Sequence, residues 1–176
     1  MLDEIGCKFL TDKSSIAHNF LHSYEEVLKG VEVKTLVEVG IFDGASLRMW
    51  SEFYPSAKII GLEIDTSRLI NEGNISSYFC DQSNTAMLLD VLKNLDIDVF
   101  VDDGSHIWSH QINTFKTVYP LMKEGSVYIA EDLHTSMLSE YKDIDIVPLD
   151  FFRKEGFAIV ENGVYSITGI KVKGDK

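Results

Sequence analysis

From residue 35 onward the apolar positions alternate between short, nearly continuous runs and stripes with a period near 3.6. Thr35–Gly40 (TLVEVG), Lys58–Asp65 (KIIGLEID), Ile75–Asp81, Asp98–Asp102 (DVFVD) and Gly125–Asp132 (GSVYIAED) read as five strands. Between them lie stripes that predict helices. Gly44–Tyr54 carries Leu47, Trp50 and Tyr54 on one face. Thr85–Leu95 carries Leu88, Val91, Leu92 and Leu95. Trp108–Met122 carries Ile112, Phe115, Tyr119 and Met122. Alternation of this kind implies an α/β fold, Rossmann-like, with a mostly parallel sheet covered by helices on both faces. Before it, Ser15–Leu28 reads as a helix. After it, Ile144–Phe152 and Val164–Val172 read as two further strands, with Asn162-Gly163 placed to turn a hairpin. The expected organisation is a helical segment over 1–34 that covers the site and a core over 35–176, one domain overall.

Composition narrows the classes. Net charge is −12, against the basic patches that nucleic-acid binding needs and against an anionic membrane surface. No apolar run approaches the ~20 residues that span a bilayer, and the start Met1-Leu-Asp-Glu lacks a signal-peptide pattern. Cys7 and Cys80 imply no disulfide framework. These features point to the cytoplasm, without nucleic-acid or membrane partners; a homo-oligomer stays open.

The first strand runs into Glu38-Val-Gly40-Ile-Phe-Asp-Gly44-Ala-Ser46. Gly40 allows a tight turn after the strand, and Gly44 a close approach by ligand or helix. Glu38 sits where a carboxylate could face a cationic amino-acid moiety. Glu63, about twenty residues on, suits ribose hydroxyls. Asp65 is expected to cap the next helix. Asp81 and Gln82, at the third strand's end, can meet an adenine edge. The spacing of the glycines favours S-adenosylmethionine over a nicotinamide; a glycine turn that binds nothing is the plain structural alternative.

The fourth strand ends in Asp102-Asp103-Gly104-Ser105-His106 and the fifth in Glu131-Asp132-Leu133-His134. If these strands are neighbours, four carboxylates and two imidazoles gather at one rim, and a cation or protons must offset their repulsion. Hard oxygen donors suit Mg²⁺. Strand alternation sends Asp102 and Asp103 to opposite faces, and likewise Glu131 and Asp132, unless the chain leaves strand geometry. His106 with His110, and His18 with His22, are four apart on expected helices, a spacing that also suits zinc or copper.

Together these motifs resemble the macrocin and mycinamicin family of sugar O-methyltransferases, a group of class I S-adenosylmethionine-dependent enzymes. The resemblance rests on Thr11-Asp-Lys13, the turn from Glu38 to Ser46, Gly61-Leu-Glu63-Ile, Asp81-Gln82, Asp102–His106 with His110-Gln111, and Glu131-Asp-Leu-His-Thr-Ser136. It implies methylation of a sugar hydroxyl on a natural product. It implies Mg²⁺ on Asp103, Glu131 and Asp132, and His106 as general base; Asp103 is the next candidate because a carboxylate touching both metal and hydroxyl could accept the proton itself. The cofactor set it completes is Thr11, Lys13, Glu38, Gly40, Gly44, Ser46, Glu63, Asp81, Gln82 and Asp102, with Thr11–Lys13 closing over cofactor or substrate. The chain is short for the pattern, so the acceptor is not fixed by it. A metal-dependent O-methyltransferase of a catechol-like diol and a non-catalytic S-adenosylmethionine binder are the alternatives.

Overall fold

A computed structural model describes residues 1–163 and 165–174. Five parallel strands, β1 (Thr35–Val39), β2 (Lys58–Glu63), β3 (Ile75–Phe79), β4 (Val99–Asp102) and β5 (Val127–Ala130), are joined by β6 (Ala158–Glu161) and β7 (Ile167–Val172). The order is β3-β2-β1-β4-β5-β7-β6, with β7 antiparallel to both of its neighbours. The chain steps outward from β1 to β3 and then returns to β4, so the crevice between β1 and β4 is the topological switch point where open α/β sheets bind ligands.

Six helices among the described residues cover the sheet: α1 (Leu2–Phe9), α2 (Leu21–Val27), α3 (Ala45–Phe53), α4 (Thr85–Leu92), α5 (Trp108–Val118) and α6 (Pro148–Lys154). Alternate strand residues divide the core in two. Leu36, Ile59, Val99, Val101, Val127 and Ile129 pack with Leu2, Leu21, Tyr24, Leu47 and Trp50 of α1–α3. Val37, Val39, Leu62, Phe100, Tyr128 and Ala130 pack with Leu88, Phe115 and Phe152 of α4–α6. Leu2, Phe20, Leu21 and Tyr24 are fully buried, so the segment before β1 is packed into the same core. No helix among the described residues is long and apolar enough to cross a membrane.

The five expected strands, the three central helices and the hairpin at Asn162-Gly163 are present. The other expectations change. Ile144–Phe152 is not a strand: Val147 is extended, Pro148 opens α6, and Leu149 and Phe152 bury one side of its helical turns. The strand that precedes the hairpin is β6 instead. The final strand begins at Ile167; Val164, where it was expected to start, lies outside the described residues. Helix is found over only the last part of Ser15–Leu28. Residues 11–20 are folded back by His18 N–H donating to Asp12 O (2.8 Å) and Phe20 N–H to Lys13 O (2.8 Å), with Asn19 left-handed at φ 56°. Helix α1 lies within the 1–34 segment expected to be helical, ahead of the one helix assigned there.

Candidate active site

Strand parity decides which acidic side chains meet. Glu38, Asp103 and Glu131 fall on the α1–α3 face, and the turn between α1 and α2 delivers Lys13 to the same place. The Lys13 ammonium, 1% exposed, contacts Asp103, lies 3.0 Å from Glu131 Oε2 and 3.3 Å from Glu38 Oε1. Burial alone would lower its pKa; the three carboxylates outweigh that and hold it well above the ordinary lysine range. Burial pushes Glu38, Asp103 and Glu131 upward, with Lys13 the main opposing influence on each. Lys13 is thus the internal cation that the expected crowd of carboxylates required.

Asp102 takes the other face, as alternation dictates. It accepts hydrogen bonds from Gln82 Nε2 and from the Tyr128 hydroxyl (3.2 Å), and burial pushes its carboxyl up to about 8. Beyond Ala130 the strand geometry breaks. Asp132 is left-handed at φ 54° and His106 at φ 57°, a backbone state that is rare outside glycine and recurs at functional sites. Both side chains thereby reach one point. His106 Nε2 lies 3.4 Å from Asp132 Oδ2 and 4.0 Å from Asp103 Oδ1, and His134 Nδ1 lies 3.7 Å from Asp132 Oδ1. Helix α5 braces the loop: Gln111 Nε2 donates to Glu131 O (2.9 Å) and Trp108 Nε1 to Thr135 O (3.1 Å).

This rim fits a divalent cation. Asp103, His106 and Asp132 each offer an atom, all within 4.8 Å of one another. Glu131 Oε1 and Asp132 Oδ1 are buried with no hydrogen-bond partner among the described residues, an arrangement that favours an oxygen-seeking cation such as Mg²⁺. Of the three residues expected to hold metal, Asp103 and Asp132 converge with His106, while Glu131 leans on Lys13. The expected helical histidine pairs do not form: His106 precedes α5 and His18 precedes α2.

The rim closes one end of a cavity of about 470 Å³ at the switch point. Thr11, Lys13, Gly40, Ser46, Glu63, Asp81 and Gln82 line it, as do Asp103, His106 and Asp132. Glu38, Gly44 and Asp102, expected along the cofactor, do not. Glu38 lies beneath the glycine turn, where it accepts from Trp50 Nε1 (2.8 Å); Gly44 is the left-handed N-cap of α3; Asp102 is bound to Gln82 and Tyr128 on the other face. Gly40, at φ +91°, has no room for a side chain, because a Cβ would strike the carbonyl oxygen of Asp103. The Glu63 carboxylate accepts from four backbone amides, those of Ile41 (3.0 Å), Phe42 (3.4 Å), Ile64 (2.8 Å) and Asp65 (3.0 Å). Asp65 caps one 3-10 turn through Ser67 N–H (3.0 Å).

Sequence reasoning missed the lip of the cavity. Leu10, Phe42 and Ile64 line it while 76%, 71% and 60% exposed, and the Arg68 guanidinium sits 5.1 Å from the Phe42 ring centroid. An aromatic inside the glycine turn was the available signal.

No protein-family model matches the chain. It is 33% identical over 136 residues to 8-demethyl-8-α-L-rhamnosyl tetracenomycin-C 2′-O-methyltransferase of Streptomyces olivaceus, a match covering 72% of this chain and 36% of that protein. It is 32% identical over 146 residues to demethylmacrocin O-methyltransferase of Streptomyces fradiae, covering 77% and 37%. Each match spans just over a third of the relative's own length. The MycE methyltransferase of the mycinamycin pathway, solved with Mg and S-adenosylhomocysteine, superimposes with a TM-score of 0.82 at 25% identity, over 98% of this chain and 54% of that one. The fold is the Rossmann-like class I methyltransferase fold.

Proposed function

We propose that this chain, which belongs with the macrocin- and mycinamicin-type sugar O-methyltransferases, moves the methyl group of S-adenosylmethionine to a hydroxyl of a sugar on a natural product. One observation carries the reading. The His106 imidazole, left-handed between Asp103 and Asp132, stands at the end of a cavity whose walls are a glycine turn and Glu63.

Glu63, Asp81 and Gln82 hold the nucleoside part, and Gly40, Ser46 and the Thr11–Lys13 turn enclose the rest. Asp103 and Asp132 would hold Mg²⁺, with Glu131 behind them, and the ion would supply Lewis-acid stabilisation of negative charge on the acceptor oxygen. His106 Nε2 takes the hydroxyl proton, so it must be neutral at the start of the cycle. Bond formation from that oxygen to the methyl carbon, with cleavage of the carbon–sulfur bond in line, yields the methyl ether and S-adenosylhomocysteine. Positioning by the cavity supplies much of the rate. The catechol alternative is not favoured, since the curated relatives are sugar O-methyltransferases. A non-catalytic binder has no use for the unpartnered polar atoms of His106 and Asp132. With Cys7 and Cys80 unpaired, we place the reaction in the cytoplasm.

The test is transfer of labelled methyl from S-adenosylmethionine to glycosylated macrolides, anthracycline-like glycosides and catechols, with chelator and with restored Mg²⁺. Metal-dependent methylation of a glycoside is expected. Methylation of catechols alone, or cofactor binding without turnover on any acceptor, overturns the reading.

A further inference from the structure

Lys13 touches the rim from behind. Its ammonium engages Asp103 Oδ2 and Glu131 Oε2, and the second oxygen of each carboxylate is left for something else. Asp103 Oδ1 faces His106 Nε2 at 4.0 Å, and Glu131 Oε1 is buried with no hydrogen-bond partner. The third carboxylate on Lys13, Glu38, is anchored by Trp50, and of the three only Asp103 lines the cavity. The lysine itself cannot swing away cheaply. Its carbonyl accepts from Phe20 N–H (2.8 Å) and Leu21 N–H (3.3 Å) at the start of α2, and Phe20 and Leu21 are fully buried.

We infer that Lys13 is the resident cation of this site, fixing the rear oxygen of Asp103 so that its front oxygen stays turned toward the point shared with His106 and Asp132, holding Glu131 behind it, and using its own charge to keep a divalent ion there weakly held and exchangeable. The inference rests on the metal reading above. Three buried carboxylates without any cation would repel one another or take up protons, so a permanent positive charge stabilises the rim before metal arrives. A charge a few ångströms behind a divalent ion also repels it, and that repulsion is only partly screened in a buried site. One side chain therefore both builds the site and limits its affinity.

The experiment uses Mn²⁺ alone as probe, with free Mn²⁺ read by electron paramagnetic resonance and folding by circular dichroism. It is run on wild type, Lys13→Met, Lys13→Gln and Lys13→Arg. Removing the charge should tighten Mn²⁺ binding by roughly tenfold or more. The Met and Gln variants should melt lower than wild type without metal and regain most of the difference when Mn²⁺ is added. Lys13→Arg, with the charge kept, should stay near wild type in both measurements. A merely structural lysine would lower the melting temperature equally with and without Mn²⁺ and leave affinity unmoved; that result overturns the inference, as does weaker binding in Lys13→Gln. If neither wild type nor any variant binds Mn²⁺, the metal reading itself falls and this inference with it. If Lys13→Met does not fold without metal, Lys13→Gln, one bond shorter but with N–H donors for the carboxylates, gives the affinity.

Discussion

The two sides of the switch point differ in how far the protein satisfies itself. On the side of β1 and β2, the Glu63 carboxylate is surrounded by four amides of its own chain, and Gly40 is packed against the Asp103 carbonyl. On the side of β4 and β5, His106 Nδ1, Glu131 Oε1, Asp132 Oδ1 and His134 Nδ1 are buried without hydrogen-bond partners among the described residues, against Glu38 Oε1 alone on the side of β1; left-handed non-glycine backbone occurs on both sides, at His106 and Asp132 and at Phe42. Buried polar atoms are costly unless paired, so the first side is a preformed cradle and the second is held in a costly state by its surroundings. This difference supports the proposal that chemistry belongs to β4 and β5 and binding to β1 and β2.

The sharpest way to break this comparison is His106. Replacing it with Ala or Gln should lower methyl transfer by roughly 10²–10⁴ while S-adenosylhomocysteine affinity, measured by calorimetry, stays near wild type. Near-normal turnover in both folded variants would move the base to Asp103. Asp132→Asn comes next. It should weaken Mn²⁺ binding by roughly 10–100-fold, with turnover restored in part by excess metal. Unchanged metal affinity would take Asp132 out of the metal set. Glu63→Gln tests the other side. It should raise the S-adenosylhomocysteine Kd about tenfold, the loss of one charge-assisted bond, and leave Mn²⁺ affinity unchanged. Equal loss of both affinities would mean that the two sides are not separable.

The binding side was the more legible of the two in the sequence. A strand, a glycine turn and an acidic residue on the next strand form a local pattern, and its backbone follows from steric limits on a few residues. The rim was legible only as composition. Asp103, Glu131 and Asp132 could be named as a group, yet alternation alone gave no way to see that Asp132 would leave the strand and join His106. Lys13 was placed near cofactor or substrate, and its three-carboxylate cage was not foreseen, because the turn that carries it breaks the helical stripe of Ser15–Leu28. Ile144–Phe152 misled for a related reason: its apolar residues suit a strand as well as one face of a short helix, and only Pro148 argued for the helix. Local chemistry survives in sequence; convergence of distant loops depends on packing that a single chain's pattern does not carry.

The smallest effect on turnover is expected at Asp98, at the opposite end of the sheet. Its Oδ2 accepts from Lys34 N–H (2.7 Å) and Thr35 N–H (2.8 Å), and Lys123 pairs with Oδ1, so it pins the start of β1 to the start of β4. Burial by itself would raise this carboxyl; the bonds from Lys123, Lys34 and Thr35 outweigh it and hold the pKa below the ordinary carboxylate range. A lowered folded pKa means that the stabilisation is fully present above the unfolded value, near 3.9, and is lost as pH falls through the folded value. Asp98→Asn should therefore cost about 1.5–3 kcal/mol near pH 7, and the gap to wild type in thermal melts should narrow toward pH 3. Turnover per folded molecule, Mn²⁺ affinity and S-adenosylhomocysteine affinity should all match wild type, because the strands' other ends carry the site. A gap that stays constant with pH would show that the bond contributes through shape and not through charge. A drop in turnover per folded molecule would show that the rim depends on the register of β1 against β4, and that the division between a cradle and a costly rim is too simple.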